Sequence, residues 1–167
     1  MHGMVPGLWP DRNVGRRAHM TTIARITNLD LAALQQLRAE SSQEGFRFVE
    51  RLCEEWASGA NRFGAPGEAL FLAFADGRVI GVCGLSRDPY AHNARIGRVR
   101  RLYVLPAHRR SGVGQALLEA VITHAHDHFD LLRVRTKAAG DFYTARGFRR
   151  DVSDTEATHV LELRNAT

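Results

Sequence analysis

The chain has 167 residues, 44% of them hydrophobic and 25% charged, with a formal net charge of +5. This length predicts one domain with a real core, and the composition excludes a fibrous or disordered chain; no apolar run reaches the roughly 18 residues of a membrane span. Cys53 and Cys83 lie far apart, which excludes a disulfide framework or a paired-cysteine zinc motif and leaves a reducing cytoplasm as the expected location.

Residues 1–20 mix Gly, Pro, Asn and Arg without periodicity and are expected to be an N-terminal extension, with a single domain over residues 21–167. Arg16 and Arg17 form a twin-arginine pair, but no apolar export segment follows, so a signal is rejected. Thr22 to Ile26 alternates as a short strand. Asn28 or Asp30 can cap a helix that carries Leu31, Leu34 and Leu37, and a second helix is predicted from Phe46, Val49, Leu52, Cys53 and Trp56, stopped by Gly59. Ala69 to Ala75 and Val79 to Leu85 flank Asp76-Gly77, a strong hairpin signal. Ile96 to Leu105 is a further strand, ended by Pro106, and Ser111 to Phe129 an amphipathic helix. Leu131 to Thr136 reads as a strand, Gly140 to Arg146 as a short helix stopped at Gly147, and Phe148 to Val152 and Thr158 to Leu163 as the last strands. The order predicts an α/β layer architecture.

The informative stretch is RRLYVLPAHRRSGVGQALLEAV, Arg100 to Val121: a strand, a basic turn with two glycines, then a helix. A helix's first amides have no intrahelical partners and sit at the positive end of its dipole, so such a turn is an anion site. Gly112 and Gly114 remove the side chains that would hold a diphosphate away, and Arg109 and Arg110 add charge. A nucleotide P-loop fails on spacing, because Lys137, the only lysine, has no glycine in the six positions before it. A dinucleotide fingerprint is a poor match, with Leu117 where a small residue belongs.

RRSGVG resembles the Arg/Gln-x-x-Gly-x-Gly/Ala signature of the GNAT superfamily of N-acetyltransferases, with Arg109, Gly112 and Gly114 in the signature positions. Downstream, TKAAGDFYTARGF resembles the family's closing motif through Tyr143, Gly147 and Phe148. The resemblance implies the GNAT fold: a mixed, mostly antiparallel sheet of six to seven strands with a splayed parallel pair and helices on both faces. It implies acetyl-CoA as co-substrate, its pantetheine arm on the strand edge at Leu102, Tyr103 and Val104 and its diphosphate on the amides of Arg110, Gly112, Val113, Gly114 and Gln115. A backbone amide near Val104 would stabilise the oxyanion, and Tyr143 would donate a proton or hydrogen bond to the departing thiolate. The implied reaction is direct acetyl transfer to a small-molecule or protein amine, with a homodimer as a compatible assembly and neither membrane nor metal involved.

Two positions depart from the family pattern. Arg98 stands where many members carry a proton-relaying glutamate, and an arginine is no base; Asp88, Tyr90 and His92 in the preceding loop are the candidates to replace it. Thr136 stands for the usual asparagine at a cofactor contact. Arg98 and Arg100 share a strand face that would recognise an acidic acceptor or simply be solvated; Glu54, Glu55 and Trp56 would line an acceptor pocket for a cation, with Trp56 as a core residue the preferred alternative. His124, His126 and His128 cluster without an obvious third ligand, so helix-dipole compensation is preferred to zinc. The alternatives are an acyl-CoA-binding module without turnover and a basic nucleic-acid binder, the latter disfavoured because the arginines are scattered.

Overall fold

Asp76 and Gly77 take φ of 51° and 74°, the backbone of a two-residue turn whose twist matches its strands. They join Ala69–Ala75 (β2) to Arg78–Arg87 (β3), both buried almost throughout, as the sequence predicts. This computed structural model describes residues 20–163; the expected extension, with Arg16 and Arg17, lies outside the described residues apart from Met20. Thr22–Arg25 (β1) precedes the hairpin; Ile96–Val104 (β4), Leu131–Val134 (β5), Arg149–Arg150 (β6) and His159–Glu162 (β7) follow it. The seven strands form one sheet in the order β1-β2-β3-β4-β5-β7-β6, antiparallel except for β4 with β5.

The helices are Gln35–Gln43 (α1), Phe48–Ser58 (α2), Val113–Ala125 (α3) and Gly140–Thr144 (α4). Asp30 is the cap, its carboxylate accepting from the Ala32 amide at 3.0 Å, but the turn it caps, Leu31–Leu34, is a tight 3-10 turn and α1 begins only at Gln35. Phe46 stands outside α2 and is 42% exposed, a correction to the expectation that it opens the apolar stripe; Val49, Leu52, Cys53 and Trp56 carry that stripe into the core. Gly59 ends α2 with φ of 81°, a left-handed position suited to glycine.

An irregularity in β4 decides which layer each side chain meets. Gly84 pairs with Arg100 and Val82 with Tyr103, so Arg101 and Leu102 together oppose Cys83, and Arg101 takes φ of 61°. This is a β-bulge, which turns the strand and shifts its alternation. Ahead of it, a Cβ at Gly97 would stand 2.8 Å from Phe129, just past α3; alternation then turns Arg98 and Arg100 to the opposite face. At the bulge and beyond, Arg101 and Tyr103 face α2 and the end of α1, where they meet Glu55 and Glu44, while Val104 faces α3.

Pairing of β4 with β5 spans only Ile96 to Arg98 against Leu131 to Arg133. At its end the two arginines lie side by side, and Asp88 Oδ2 sits 3.4 Å from Arg98 Nη1 and 3.2 Å from Arg133 Nε. Arg98 also donates to the Glu156 carbonyl at 2.6 Å, and Arg133 to Asp154 Oδ2 at 2.6 Å, which ties the β6–β7 loop to the sheet. Asp88, Arg98 and Arg133 are 5%, 8% and 7% exposed. Removing one member of such a cluster leaves an uncompensated buried charge. Asp88→Asn is therefore expected to lower the unfolding free energy by about 3–5 kcal/mol in urea titration; a loss below about 1 kcal/mol, the range of an exposed pair, would show that the cluster does not hold the strands.

Candidate active site

Beyond Arg98, β4 is paired only with β3 among the described strands. The Leu105 amide donates to the Ile80 carbonyl of β3 at 2.9 Å, so alternation turns the peptide groups of Tyr103 to β3 and those of Leu102 and Val104 to the side that β5 has left. The Val104 carbonyl confirms this direction by accepting from Arg109 Nε at 2.9 Å. The edge expected of three residues is thus offered by Leu102 and Val104. Tyr103 serves differently: its hydroxyl donates to Glu44 Oε1 at 2.6 Å, and burial followed by the neighbouring Glu44 carboxylate raises its pKa. Arg109 closes the same network, its guanidinium bidentate on Glu44 at 2.8 and 2.6 Å and stacked 5.3 Å from the Tyr103 ring centre. Hydrogen bonds from Arg109 and then Tyr103 hold the Glu44 carboxyl below its ordinary range. Glu44, at the end of α1, carries no sequence signal that connects it to a loop 65 residues away.

The glycine turn is built by left-handed backbone at Arg110, φ 63°, and Gly112, φ 86°. Ser111 donates its hydroxyl to the His108 carbonyl at 2.6 Å, which closes the turn below. The first bond of the helical ladder runs from the Ala116 amide to the Gly112 carbonyl at 3.0 Å, so the amides of Val113, Gly114 and Gln115 have no intrahelical acceptor. The Val113 side chain is buried and anchors the helix, whereas Arg110, Ser111, Gly112 and Gln115 are exposed. A Cβ at Gly112 would meet nothing within 4 Å, and one at Gly114 would rest 3.5 Å from Phe142 and 3.8 Å from Val104. Gly114 therefore lies between the open strand edge and α4. Unpartnered amides, a bare glycine and an adjacent strand edge fit a ligand with a diphosphate and an extended amide arm. Arg146, which the sequence reading did not single out, adds a cation here: it lies 4.1 Å over the Phe142 ring and donates to the Gln115 side chain at 3.1 Å. Its i+4 spacing from Phe142 was the available signal.

Tyr143 is 4% exposed, its ring packed against Phe142 at 5.1 Å and Phe148 at 5.3 Å. Burial, and then Cys83, which the bulge residues oppose, raises its pKa. Thr136 accepts the Ala139 amide at 2.9 Å on its hydroxyl and donates its own amide to Thr158 Oγ1 at 3.1 Å, so it shapes the loop that enters α4. The base candidates separate. Asp88 is committed to Arg98 and Arg133, Tyr90 stacks on Arg98 at 5.1 Å, and His92 is exposed. Glu55 ion-pairs with Arg101 at 2.7 Å, and Trp56 is core. His124 stacks near His128 at 4.9 Å, its pKa lowered by burial and by Arg25. Among the described residues no group of three or more His, Cys, Asp or Glu is placed to hold a metal ion, and no helix is long and apolar enough to cross a membrane.

A family model described as an acetyltransferase (GNAT) domain matches residues 66–150. The aminoglycoside N(6')-acetyltransferase type 1 of Klebsiella aerogenes is 29% identical over 100 residues, 50% of this chain and 66% of that protein, so the chain spans just under two thirds of this relative. Among solved structures, one from Exiguobacterium sp. 255-15 described as an acetyltransferase matches with a TM-score of 0.78 and 36% identity, over 86% of this chain and 93% of that one. The Escherichia coli GNAT family N-acetyltransferase YhbS, crystallised in complex with CoA, shares the fold at a TM-score of 0.66 and 18% identity, over 88% of this chain and 83% of that one. The matched segment takes in the hairpin, the bulged strand, the glycine turn and α4, and by that match the chain belongs to the GNAT family of acetyltransferases, whose co-substrate is acetyl-CoA.

Proposed function

We propose that the protein transfers the acetyl group of acetyl-CoA directly to an amine acceptor. The observation that carries this reading is the meeting of two backbone surfaces without strand or helix partners: the edge of β4 at Leu102 and the Val104 amide, and the amides of Val113, Gly114 and Gln115. The ligand supplies the activated acetyl group as a thioester; the chain's own residues bind, orient and polarise. The amides at the start of α3 take the diphosphate, each charge-assisted bond contributing about 1.5–3 kcal/mol. Leu102 pairs with the arm as a neighbouring strand would. The Val104 carbonyl is already held by Arg109, so its amide is the group left to face the oxygen on which charge develops.

Tyr143 would donate to the leaving sulfur. Its raised pKa makes full proton transfer to a thiolate costlier than the ordinary values of roughly 10 and 8.5 imply, so a hydrogen bond from the neutral phenol is the role that fits. With Arg98 buried in an ion cluster and Asp88 bound to it, the acceptor amine loses its proton to solvent rather than to a carboxylate on β4.

Two substitutions test this. Gly114→Asp puts a carboxylate where the diphosphate belongs, in a space that a Cβ fills by ordinary contact. Its acetyl-CoA Kd by calorimetry should rise by about 100-fold or more, the loss of two charge-assisted bonds, with the thermal midpoint retained; an unchanged Kd contradicts the site. Tyr143→Phe should lower kcat by about 10- to 100-fold with acetyl-CoA affinity held; equal losses in both, or none, would reduce Tyr143 to packing.

A further inference from the structure

If the diphosphate lies at the start of α3, on one face of the sheet, the gap left by β5 admits the acceptor from the other face, the one turned to α1 and α2. That face of the central strands is rich in arginine. Arg98 and Arg133 are neutralised there by Asp88 and Asp154, and Arg101 by Glu55. Arg100 shares the face with Arg98 by strand alternation and is only partly buried. Among the described residues it has no carboxylate, carbonyl or ring partner. Its charge is felt by its neighbours: burial and then Arg100 lower the pKa of Arg101, and Arg98 is lowered by burial and, more weakly, by Arg133 and then Arg100.

Two further polar groups here lack partners. Arg101 keeps only 10% of its side-chain exposure, and its Nε–H is buried without an acceptor. Ser86, the cross-strand neighbour of Arg98 on β3, is 3% exposed with an unpartnered hydroxyl. A surplus guanidinium next to Arg101, on a face that carries these unpartnered donors, is a site for an anionic oxygen group.

Resting on the acetyl-transfer reading above, we infer that the acceptor amine carries a carboxylate or phosphate, bound by Arg100 on the face of β4 turned to α1 and α2. Arg100 is then a specificity-determining residue. A polycationic acceptor such as an aminoglycoside is repelled by this face, although the Klebsiella relative is named for one.

The test begins with acetyl-CoA binding by calorimetry, because failure there sinks both the acetyl-transfer reading and this inference. Thiol release is then followed with β-alanine and O-phosphoethanolamine against their neutral counterparts β-alaninamide and ethanolamine, and with kanamycin as a polycation. The anionic amines should exceed the neutral ones in kcat/KM by about 10-fold or more, and the better of the two identifies the group. Arg100→Gln should raise KM for that amine by about 10-fold and leave the acetyl-CoA Kd within about two-fold. Preference for the neutral amines or kanamycin, or an unchanged KM in Arg100→Gln, overturns the inference and leaves acetyl transfer intact. Should none of the five be turned over, glutarate and inorganic phosphate titrated into the CoA-bound protein decide it. A shift of the Arg101 Nε–H NMR signal that disappears in Arg100→Gln supports the site, and no shift overturns it.

Discussion

Three residues of parallel pairing, Ile96 to Arg98 on β4 with Leu131 to Arg133 on β5, join the two parts of the sheet, and the site begins where they stop. The stop is structural on both sides. Below it, Asp88 holds two arginines that would otherwise repel, so the strands are clamped at the last paired position. Above it, left-handed Arg101 bulges the strand and turns it away. A parallel pair that continued would satisfy its own peptide groups. Cut short, it leaves Leu102 and Val104 with groups that a ligand can use.

The second half of the site depends on the first through side chains rather than backbone. Arg109 holds the Val104 carbonyl and, through Glu44, the end of α1, and Tyr103 joins the same carboxylate from β4. One carboxylate thus fixes the strand edge, the turn that leads to the unpartnered amides, and the helix layer on the far face. Arg109, expected from the sequence to contact phosphate, is bound in this structure to the Val104 carbonyl and Glu44. On the proposed reading the diphosphate is held by backbone amides, with Arg110 and Arg146 as the nearby cations.

What was legible in the sequence is what short-range chemistry writes. Asp76-Gly77 specifies its turn in two residues, and Gly112 to Gln115 declares a helix start with unpartnered amides within four. What was hidden depends on contacts far apart in the chain: Glu44 with Arg109 across 65 residues, and Arg98 with Glu156 across 58. The bulge lies between these extremes. Adjacent Arg100 and Arg101 followed by Leu102, Tyr103 and Val104 break the strict alternation of a strand, a mark of the inserted residue that a continuous strand from Ile96 to Leu105 passes over. Tyr103, which the resemblance puts on the ligand edge with its two neighbours, turns its peptide groups to β3, a direction that only the register between the strands sets.

The account rests on acetyl-CoA lying along the freed edge of β4 with its diphosphate on the amides at the start of α3. Backbone 15N–1H NMR during a titration with acetyl-CoA measures this directly. The largest shifts are expected at the amides of Leu102, Val104, Val113, Gly114 and Gln115. Saturable binding that leaves those five signals in place, with its shifts mapped to another part of the sheet, would contradict the account.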